Sequence, residues 1–252
     1  MNTPKLICEN DFSVAWARAI EILKNNAWNQ WNLVVTICKP LLYNNEAIVL
    51  MTDFAKENHK VLPSQVQHTI FPQRFYKGDR INNREKFYRW YNRFYARTRS
   101  MEHSGWGTYF KRMISYPTKN GEECDQLGNI IDHINNRRSN HGSANIMFIP
   151  TIGNETNRTM GGPCLNYVAV QTEKQNGTRV INLLAVYRNH DFYERTFGNY
   201  WGLCSLLQYI CKETNSNVGS VTCVSSHAYV NACKTELYDI AKTILDRNEH
   251  RE

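Results

Sequence analysis

The sequence contains no long run of apolar residues. Its longest runs, such as residues 47–51 and 183–186, are far shorter than the roughly 18 residues that a membrane span needs. The first residues, MNTPKLICENDF, also lack the apolar stretch of a secretory signal peptide. We therefore expect a cytoplasmic protein that makes no membrane contact and keeps its eight cysteines as free thiols.

Two further scarcities narrow the class of protein. No two cysteines form a C-x-x-C pair, so no structural zinc site is predicted. Glycine and proline are few, 13 and 7 of 252 residues, which excludes collagen-like and low-complexity chains. By contrast, 42% of the residues are hydrophobic, which is enough for a folded core. We expect one domain that covers residues 1–252.

The charge of the chain is strongly biased towards one sign. Thirty lysines and arginines exceed 23 aspartates and glutamates, for a net charge of +7. Such a balance suits an anionic partner, either nucleic acid or a phosphorylated small molecule. The alternative is a solvated surface with a basic bias and no particular partner.

Hydrophobic periodicity predicts helices and strands that alternate at unequal spacing, which is typical of an α+β fold. Asp11 or Ser13 is expected to cap the first helix. The helix at 200–212 is apolar nearly all round and should be buried at the centre. The predicted helices are 12–24, 84–99, 125–136, 200–212 and 233–245, and the predicted strands are 32–37, 47–52, 145–150, 167–172, 180–187 and 218–224.

The predicted helix at 84–99 is dense in both charge and aromatic residues. It holds five arginines interleaved with six aromatic side chains. Basic and aromatic residues together can bind single-stranded nucleic acid. Alternatively the aromatic residues, spaced at a helical period, form a buried stripe while the arginines stay in solvent.

Four short segments carry candidate chemistry. A Gly-Gly-Pro turn at 161–163 precedes Cys164 and could present its thiol to a cleft, although many cysteines are simply buried small hydrophobes. Arg188 and Asp191 follow the apolar strand INLLAVY directly. An arginine there suits bidentate phosphate binding and an aspartate suits a heterocycle, but an ordinary polar strand end would look the same.

The other two segments lie further along the chain. The Asn199 side chain offers a donor and an acceptor together, which matches the edge of uracil, but it could equally cap the buried helix. His227 and Tyr229 are two residues apart, so they share one side of an extended chain. They could bind a sugar hydroxyl or form a packed core pair.

Together, these segments resemble the second half of thymidylate synthases and the related pyrimidine nucleotide hydroxymethylases. The resemblance rests on the order Pro-Cys164, YRxxD at 187–191, Asn199, an apolar helix and SHAYxN at 226–231. WGTYF at 106–110, followed by DQL at 125–127, is similar to that family's YGxxW and DQL stretch. The resemblance covers residues 105–231, and residues 1–104 fit it only weakly.

The resemblance implies a role for each matching residue. It also implies an α+β fold with a large twisted sheet backed by helices, a homodimer packed sheet on sheet, a pyrimidine nucleoside monophosphate as substrate and 5,10-methylenetetrahydrofolate as cofactor. The resemblance implies that Cys164 is the nucleophile that attacks C6 of the base, that Arg188 binds the phosphate and that Asn199 recognises a uracil-type base edge. It also implies that His227 and Tyr229 bind the sugar hydroxyl and that Asp191 contacts the folate pterin. Arg137 and Arg138 are the nearest counterparts of the arginines that reach the phosphate in the partner subunit.

The sequence also departs from that family. The glutamate that organises proton transfer would fall near Phe71, where no carboxylate occurs, and Leu165 stands where the family has a histidine. The family's C-terminal strands have no counterpart after Asn231. We therefore expect a diverged, shortened member that transfers a methyl or hydroxymethyl group to C5 of a uridine-type nucleotide. The alternatives are a catalytically degenerate nucleotide sensor and a single-stranded nucleic-acid binder.

Overall fold

The computed structural model describes residues 3–76, 84–98, 105–136, 145–151, 155 and 161–250. These residues form a large mixed β-sheet with helices packed on one face. None of the helices within these ranges is both long and apolar enough to cross a lipid bilayer. The elements are β1 Lys5–Glu9, α1 Phe12–Asn25, β2 Asn29–Ile37, α2 Asn45–Glu57, α3 Pro63–Ile70, α4 Arg84–Thr98, α5 Tyr109–Ile114, β3 Tyr116–Pro117, β4 Glu123–Cys124, α6 Gln126–Asn135, β5 Ile146–Phe148, β6 Leu165–Gln175, β7 Thr178–Tyr187, β8 His190–Asp191, α7 Thr196–Glu213, β9 Asn217–Tyr229 and α8 Lys234–Glu249.

The main sheet has the strand order β1-β2-β9-β7-β6-β5, and the short β8 pairs with the end of β9. β7 and β9 are parallel neighbours joined by the crossover helix α7, while β6 and β7 form an antiparallel hairpin. β3 and β4 form a separate two-stranded ribbon. The sheet is therefore mixed, and the α+β class and the large sheet backed by helices are confirmed.

The two faces of the sheet differ in burial because strand residues alternate between them. On one face Leu33, Leu183 and Val221 are buried under α1 and α7, and α8 packs on α1. Their neighbours Val34 and Leu184 point to the opposite face, which no helix of the described residues covers, and stay half-buried. The core therefore lies between the sheet and its helical layer.

Local sequence signals account for the ends of the main helices. Asp11 caps α1, since its carboxylate accepts hydrogen bonds from the backbone of Ser13 and Val14. Helix α7 is buried on nearly all sides, as its apolar sequence predicts. It begins at Thr196, four residues before the predicted start, so Asn199 lies inside its first turn and Arg195 occupies the N-cap. The alternative role of Asn199, as the cap of this helix, is therefore wrong.

The predicted strand at 47–52 is also wrong, because these residues lie inside helix α2. Ala47, Met51 and Phe54 are buried and recur at a spacing of four and three residues, which places them on one helical face. Asn44 caps the helix by accepting a hydrogen bond from the Ala47 backbone at 3.2 Å. The short apolar run alone predicts a strand, but the longer segment around it has the helical period.

Helix α4 buries part of its aromatic stripe in a cluster of rings. Phe87 and Tyr91 are buried, and Phe87 packs on Phe71, Phe110 and Tyr209 with ring centroids 5.4–5.7 Å apart. The opposite side of α4, with Trp90, faces solvent. The interpretation of a buried aromatic stripe is therefore confirmed for the inner face of this helix.

Candidate functional site

The candidate site lies where β7 and β9 end and α7 begins. In sheets with parallel strands joined by a helix, ligands bind beyond the carboxyl ends of the strands. Arg188 directly follows β7, while His227 and Tyr229 form the end of β9. The N-terminus of an 18-residue helix such as α7 also carries a partial positive charge. The topology therefore brings the predicted residues of three distant segments to one edge of the sheet.

The turn before β6 places Cys164 beside Arg188. Gly161 and Gly162 both have positive φ angles, +78° and +77°, which only glycine adopts readily. A Cβ on Gly162 would also lie 3.3 Å from the backbone oxygen of Glu155. The Arg188 backbone donates to the Cys164 carbonyl at 2.9 Å, and its Nη2 donates to the Gly161 carbonyl at 2.7 Å. The glycine turn thus fixes the thiol and the guanidinium side by side.

The groups around Cys164 shift the pKa of its thiol in opposite directions. Burial raises the pKa of this half-buried thiol, and the negative charge of Asp191 raises it further. The positive charges of Arg188 and Arg195 lower it, as does a hydrogen bond from Arg188. Two cations next to a partly buried thiol favour its thiolate form.

Asp191 lies in the short strand β8 and pairs with Tyr229 of β9. Its Oδ1 accepts a hydrogen bond from the Tyr193 backbone at 2.8 Å, and its carbonyl accepts from the hydroxyl of Thr196 at 2.7 Å. Burial raises the pKa of Asp191, and hydrogen bonds from the backbone partly offset that effect. The Tyr193 backbone thus holds the carboxylate in place near the thiol, and the first residue of α7 holds the Asp191 backbone.

Asn199 is almost fully buried, with 3% of its surface exposed, and belongs to a polar chain under the site. Its Nδ2 donates to Nε2 of His190 at 3.1 Å, and Nδ1 of His190 bonds the hydroxyl of Ser225 at 2.8 Å. The His190 ring also stacks on Tyr187 with centroids 3.9 Å apart. The Asn199 Oδ1 has no hydrogen-bond partner among the described residues. His190 therefore fixes the Asn199 amide and leaves its acceptor oxygen available.

His227 and Tyr229 share one side of β9, as predicted, and their rings stack 5.4 Å apart. The Nδ1 of His227 donates to Oδ1 of Asn189 at 2.6 Å, and the Asn189 side chain also hydrogen-bonds Tyr229. On the neighbouring strand, Trp31 stacks on His227 at 4.5 Å while remaining 53% exposed. The rings of Trp31, His227 and Tyr229 thus stack one after another, with the Asn189 amide beside them.

Sequence reasoning missed several residues of this site. Asn189 and His190 stand inside the YRNHD motif, so their position next to the predicted residues was the available signal. Tyr109 lies close enough to Cys164 for their charges to interact, and burial raises the pKa of its phenol. Tyr109 lies in the WGTYF segment that carries part of the resemblance, but no role was predicted for it. No sequence signal pointed to Trp31, because strand pairing brings it to the site.

Some predictions fall elsewhere. Arg137 and Arg138 lie outside the described residues. Phe71, near which the family's glutamate would fall, is fully buried in the aromatic cluster. Within the described part of the chain, no group of three or more histidine, cysteine, aspartate or glutamate side chains is arranged to hold a metal ion.

Comparison with known proteins yields distant relatives. The chain is 27% identical over 125 residues to a Methanosarcina mazei protein and 29% identical over 127 residues to a Methanocaldococcus jannaschii protein, both named "Putative thymidylate synthase". Each match covers 49% of this chain, and 52% and 55% of the two relatives. The chain thus spans about half the length of the curated relatives it matches. No protein-family model matches the chain.

Proposed function

We propose that this protein is a thymidylate synthase-like one-carbon transferase that acts on C5 of a uridine-type nucleoside monophosphate. The observation that carries the proposal is Cys164, held next to Arg188 and Arg195 on the edge of the sheet where Asp191 and Tyr229 also lie. The similarity to curated relatives of that name supports the same reading.

In the proposed reaction, Cys164 acts as the nucleophile. Its thiolate adds to C6 of the pyrimidine, which makes C5 nucleophilic and shifts negative charge towards O4. Because burial raises the pKa of the thiol, Arg188 and Arg195 supply the positive charge that favours the thiolate. The Gly161 carbonyl holds the Arg188 guanidinium beside the sulfur, and the same cation suits the phosphate of the substrate.

The base and the sugar would be recognised by separate groups. The acceptor oxygen of Asn199 suits the N3–H of uracil, since the amide nitrogen is already engaged by His190. Cytosine has no N–H at that ring position and would leave this buried oxygen unpaired, so we propose a uridine-type substrate. Tyr229 and His227 would bond the sugar hydroxyl at the end of β9.

The one-carbon donor would be methylenetetrahydrofolate, which supplies the carbon unit that C5 accepts. Among the residues of the site, Asp191 is the one that fits the pterin ring of this folate. Asp191 is a carboxylate fixed near the thiol, and a carboxylate accepts the N–H donors that a pterin ring carries. Asp191 would therefore orient the donor over the base.

The proposal predicts that the protein releases tritium from [5-³H]dUMP or [5-³H]UMP into water, because addition of Cys164 to C6 labilises the hydrogen on C5. The Cys164→Ala variant should release none. The matched control is Cys124→Ala, which removes another partly exposed thiol outside the site and should leave the release intact.

The outcomes separate the proposal from its alternative. Release with a uridine nucleotide that depends on Cys164 supports one-carbon chemistry at C5. If no pyrimidine nucleotide exchanges tritium, while dUMP or UMP raises the melting temperature of wild type and Cys164→Ser equally, the protein is a nucleotide sensor instead.

We also propose that residues 1–252 act as one domain and that two copies pair through the uncovered face of the sheet. Residues from Ile7 to Leu245 contribute to one continuous core, which supports the single domain. The uncovered face carries half-buried apolar side chains such as Val34, Val186 and Val224. A second sheet would remove these from water.

A second candidate function is binding of single-stranded nucleic acid by α4. The observation that favours it is the outer face of this helix, where Arg89, Arg93 and Arg97 are exposed around Trp90, itself 58% exposed. Arginines attract phosphates and an exposed indole can stack on a base. This function predicts binding to a labelled oligonucleotide that weakens steeply with salt and is lost in Trp90→Ala with Arg93→Gln. Undetectable binding at low salt would exclude it.

A further inference from the structure

Two exposed cysteines meet at the outer edge of the sheet, far along the chain from the candidate site. Cys8 lies in β1, the outermost strand, and Cys38 follows the end of β2. Their Sγ atoms are 3.1 Å apart. The other six cysteines are buried or only partly exposed. In the single chain these are therefore the most accessible thiols, and they lie at the edge of the same uncovered sheet face as Leu6 and Val34.

Strand pairing explains why the two side chains meet. β1 and β2 are parallel, with Cys8 opposite Thr36. Cys38 comes two residues after Thr36, so its side chain projects to the same face of the sheet. The Cys38 backbone donates to the Glu9 carbonyl at 2.8 Å, which continues the pairing past the end of β2. The backbone thus holds both sulfurs on one face at contact distance.

We propose that Cys8 and Cys38 form a reversible intramolecular disulfide when the protein meets a low-molecular-weight disulfide such as oxidised glutathione. The sulfurs are about 1 Å further apart than in a disulfide, whose S–S length is about 2.05 Å. A small rotation of two exposed side chains closes that gap.

The chemistry is thiol–disulfide exchange in two steps. The Cys8 thiolate attacks one sulfur of the small disulfide, which forms a mixed disulfide on Cys8 and releases one small thiolate. The Cys38 sulfur, after loss of its proton to water, then attacks the Cys8 sulfur and displaces the second small thiol. Two protein thiols are oxidised, and one small disulfide is reduced to two thiols.

The order of the two steps follows from the pair itself. The contact with Cys8, together with burial, raises the pKa of Cys38 to about 11. Cys38 therefore keeps its proton at neutral pH, which favours Cys8 as the first nucleophile and Cys38 as the thiol that resolves the mixed disulfide.

The disulfide would link the edge strand β1 covalently to the end of β2. It closes a loop that contains α1 and β2, since the two cysteines are 30 positions apart in the sequence. A cross-link of this loop length restricts the unfolded chain and raises the melting temperature by roughly 5–10 °C in a protein of this size.

The test incubates the reduced full chain with oxidised glutathione, blocks the remaining thiols with N-ethylmaleimide and measures the intact mass and the linked peptides. The wild type should lose two hydrogens and yield a peptide pair linked through Cys8 and Cys38, with a higher melting temperature that returns to its original value after reduction. Cys38→Ser should instead retain one glutathione on Cys8 and show no such rise. Cys124→Ser, the matched control, should behave as wild type.

Stable glutathione adducts on both cysteines of the wild type, or full alkylation of both after the incubation, would overturn the proposal. A linked peptide that joins Cys8 to any other cysteine would overturn it as well. Because neither cysteine belongs to the candidate site, these outcomes do not depend on the proposed transferase activity.

Discussion

The reactivity of Cys164 depends on two opposing effects on the pKa of its thiol, burial and the charge of nearby arginines. Burial holds the pKa of the thiol above its ordinary value, and Arg188 is the largest influence in the opposite direction, followed by Arg195. The glycine turn at 161–162 matters here because it anchors Arg188 next to the sulfur. The guanidinium can be removed by mutation without removing the thiol, so its effect on the thiol can be measured directly.

We expect Arg188→Gln to slow the alkylation of Cys164 by iodoacetamide at pH 7. Loss of the cation raises the pKa of the thiol, and each unit of that rise lowers the rate about threefold, because a smaller thiolate fraction is partly offset by greater nucleophilicity. Arg195→Gln should slow it less. Peptide mapping of the alkylated protein gives the rate at this one cysteine.

The matched control is Arg179→Gln, at the far end of β7, which should leave the rate unchanged. Equal rates in wild type and Arg188→Gln would show that Arg188 does not tune the thiol.

The buried His190 makes the stability of the protein depend on pH. Burial lowers its pKa from 6.5 to about 3, so the buried ring stays neutral while the unfolded ring takes up a proton below pH 6.5. The unfolded state then binds more protons, and the free energy of unfolding falls as the pH drops from 6.5 towards 3, by up to about 1.4 kcal/mol per pH unit. Partial burial and the charge of Arg74 lower the pKa of His68 to about 4, so this residue acts in the same direction.

Urea unfolding of wild type and His190→Gln at pH 7 and pH 5 tests this. The variant should lose less stability than wild type between the two values, because glutamine does not titrate. The exposed His133→Gln serves as the control and should follow wild type. A wild-type loss no larger than that of His190→Gln would contradict the prediction.

The candidate site shows which residues a sequence can and cannot reveal. Cys164 and Arg188 were predicted because each directly follows a turn or a strand, and Asp191 because it belongs to the same YRNHD segment as Arg188. Asn199 was predicted as a base reader, but its partner His190 was missed. A buried histidine that orients another side chain has no sequence signature of its own, because its role depends on contacts made only after folding.

At the scale of elements, strongly periodic segments were predicted well and short ones were not. The helices at α1, α6, α7 and α8 and the strands β2, β6, β7 and β9 all have long, unambiguous patterns, and their predicted positions agree with the structure to within a few residues. The helix α2 was predicted as a strand and α3 was not predicted. Both have short apolar segments, for which packing against the rest of the fold decides the structure.

The contact of α3 with α7 shows how such packing operates. Two glycines of α7 face α3, and a Cβ on Gly202 would lie 2.8 Å from Cβ of Ile70 and 3.1 Å from the Gln67 carbonyl. These glycines let the two helices approach more closely than larger residues would permit. Because α7 carries Arg195 and Asn199 at its start, this contact also places the candidate site.

We expect Gly202→Ala to destabilise the protein by up to about 2 kcal/mol, measured by urea unfolding. Alanine in a helix interior is favoured over glycine by about 1 kcal/mol, but overpacking of a tight core costs about 1–3 kcal/mol. Gly105→Ala, where the added Cβ would meet nothing within 4 Å, is the control and should change stability little. A Gly202→Ala variant that is more stable than wild type would show that α3 moves aside freely.

At the scale of the whole molecule, the uncovered face of the sheet requires an explanation. The strand register aligns one apolar residue from each of the six strands β1, β2, β9, β7, β6 and β5 in a row that crosses the sheet. This row consists of Leu6, Val34, Val224, Val186, Tyr167 and Phe148. Its two ends are open to solvent, since Leu6 is 79% exposed and Phe148 is 50% exposed. Continuous apolar surfaces of this kind on a folded protein usually mark an interface.

The proposed homodimer follows from this row. A two-fold axis through the sheet would place the row of one copy against that of the other, so that a self-complementary apolar surface is buried from both sides. We expect light scattering after gel filtration to give twice the chain mass of 29.5 kDa. Val186→Glu, which puts a charge at the centre of the row, should shift the protein to a monomer, because a buried unpaired carboxylate is costly.

The control is Lys242→Glu on the exposed side of α8, which also adds negative charge but should leave the dimer intact. A wild-type protein that is monomeric at every concentration would reject the dimer and leave the row for another partner. A dimer that persists in Val186→Glu would place the interface elsewhere on the molecule. Since the row lies opposite the helical layer, either result leaves the packing of the candidate site unchanged.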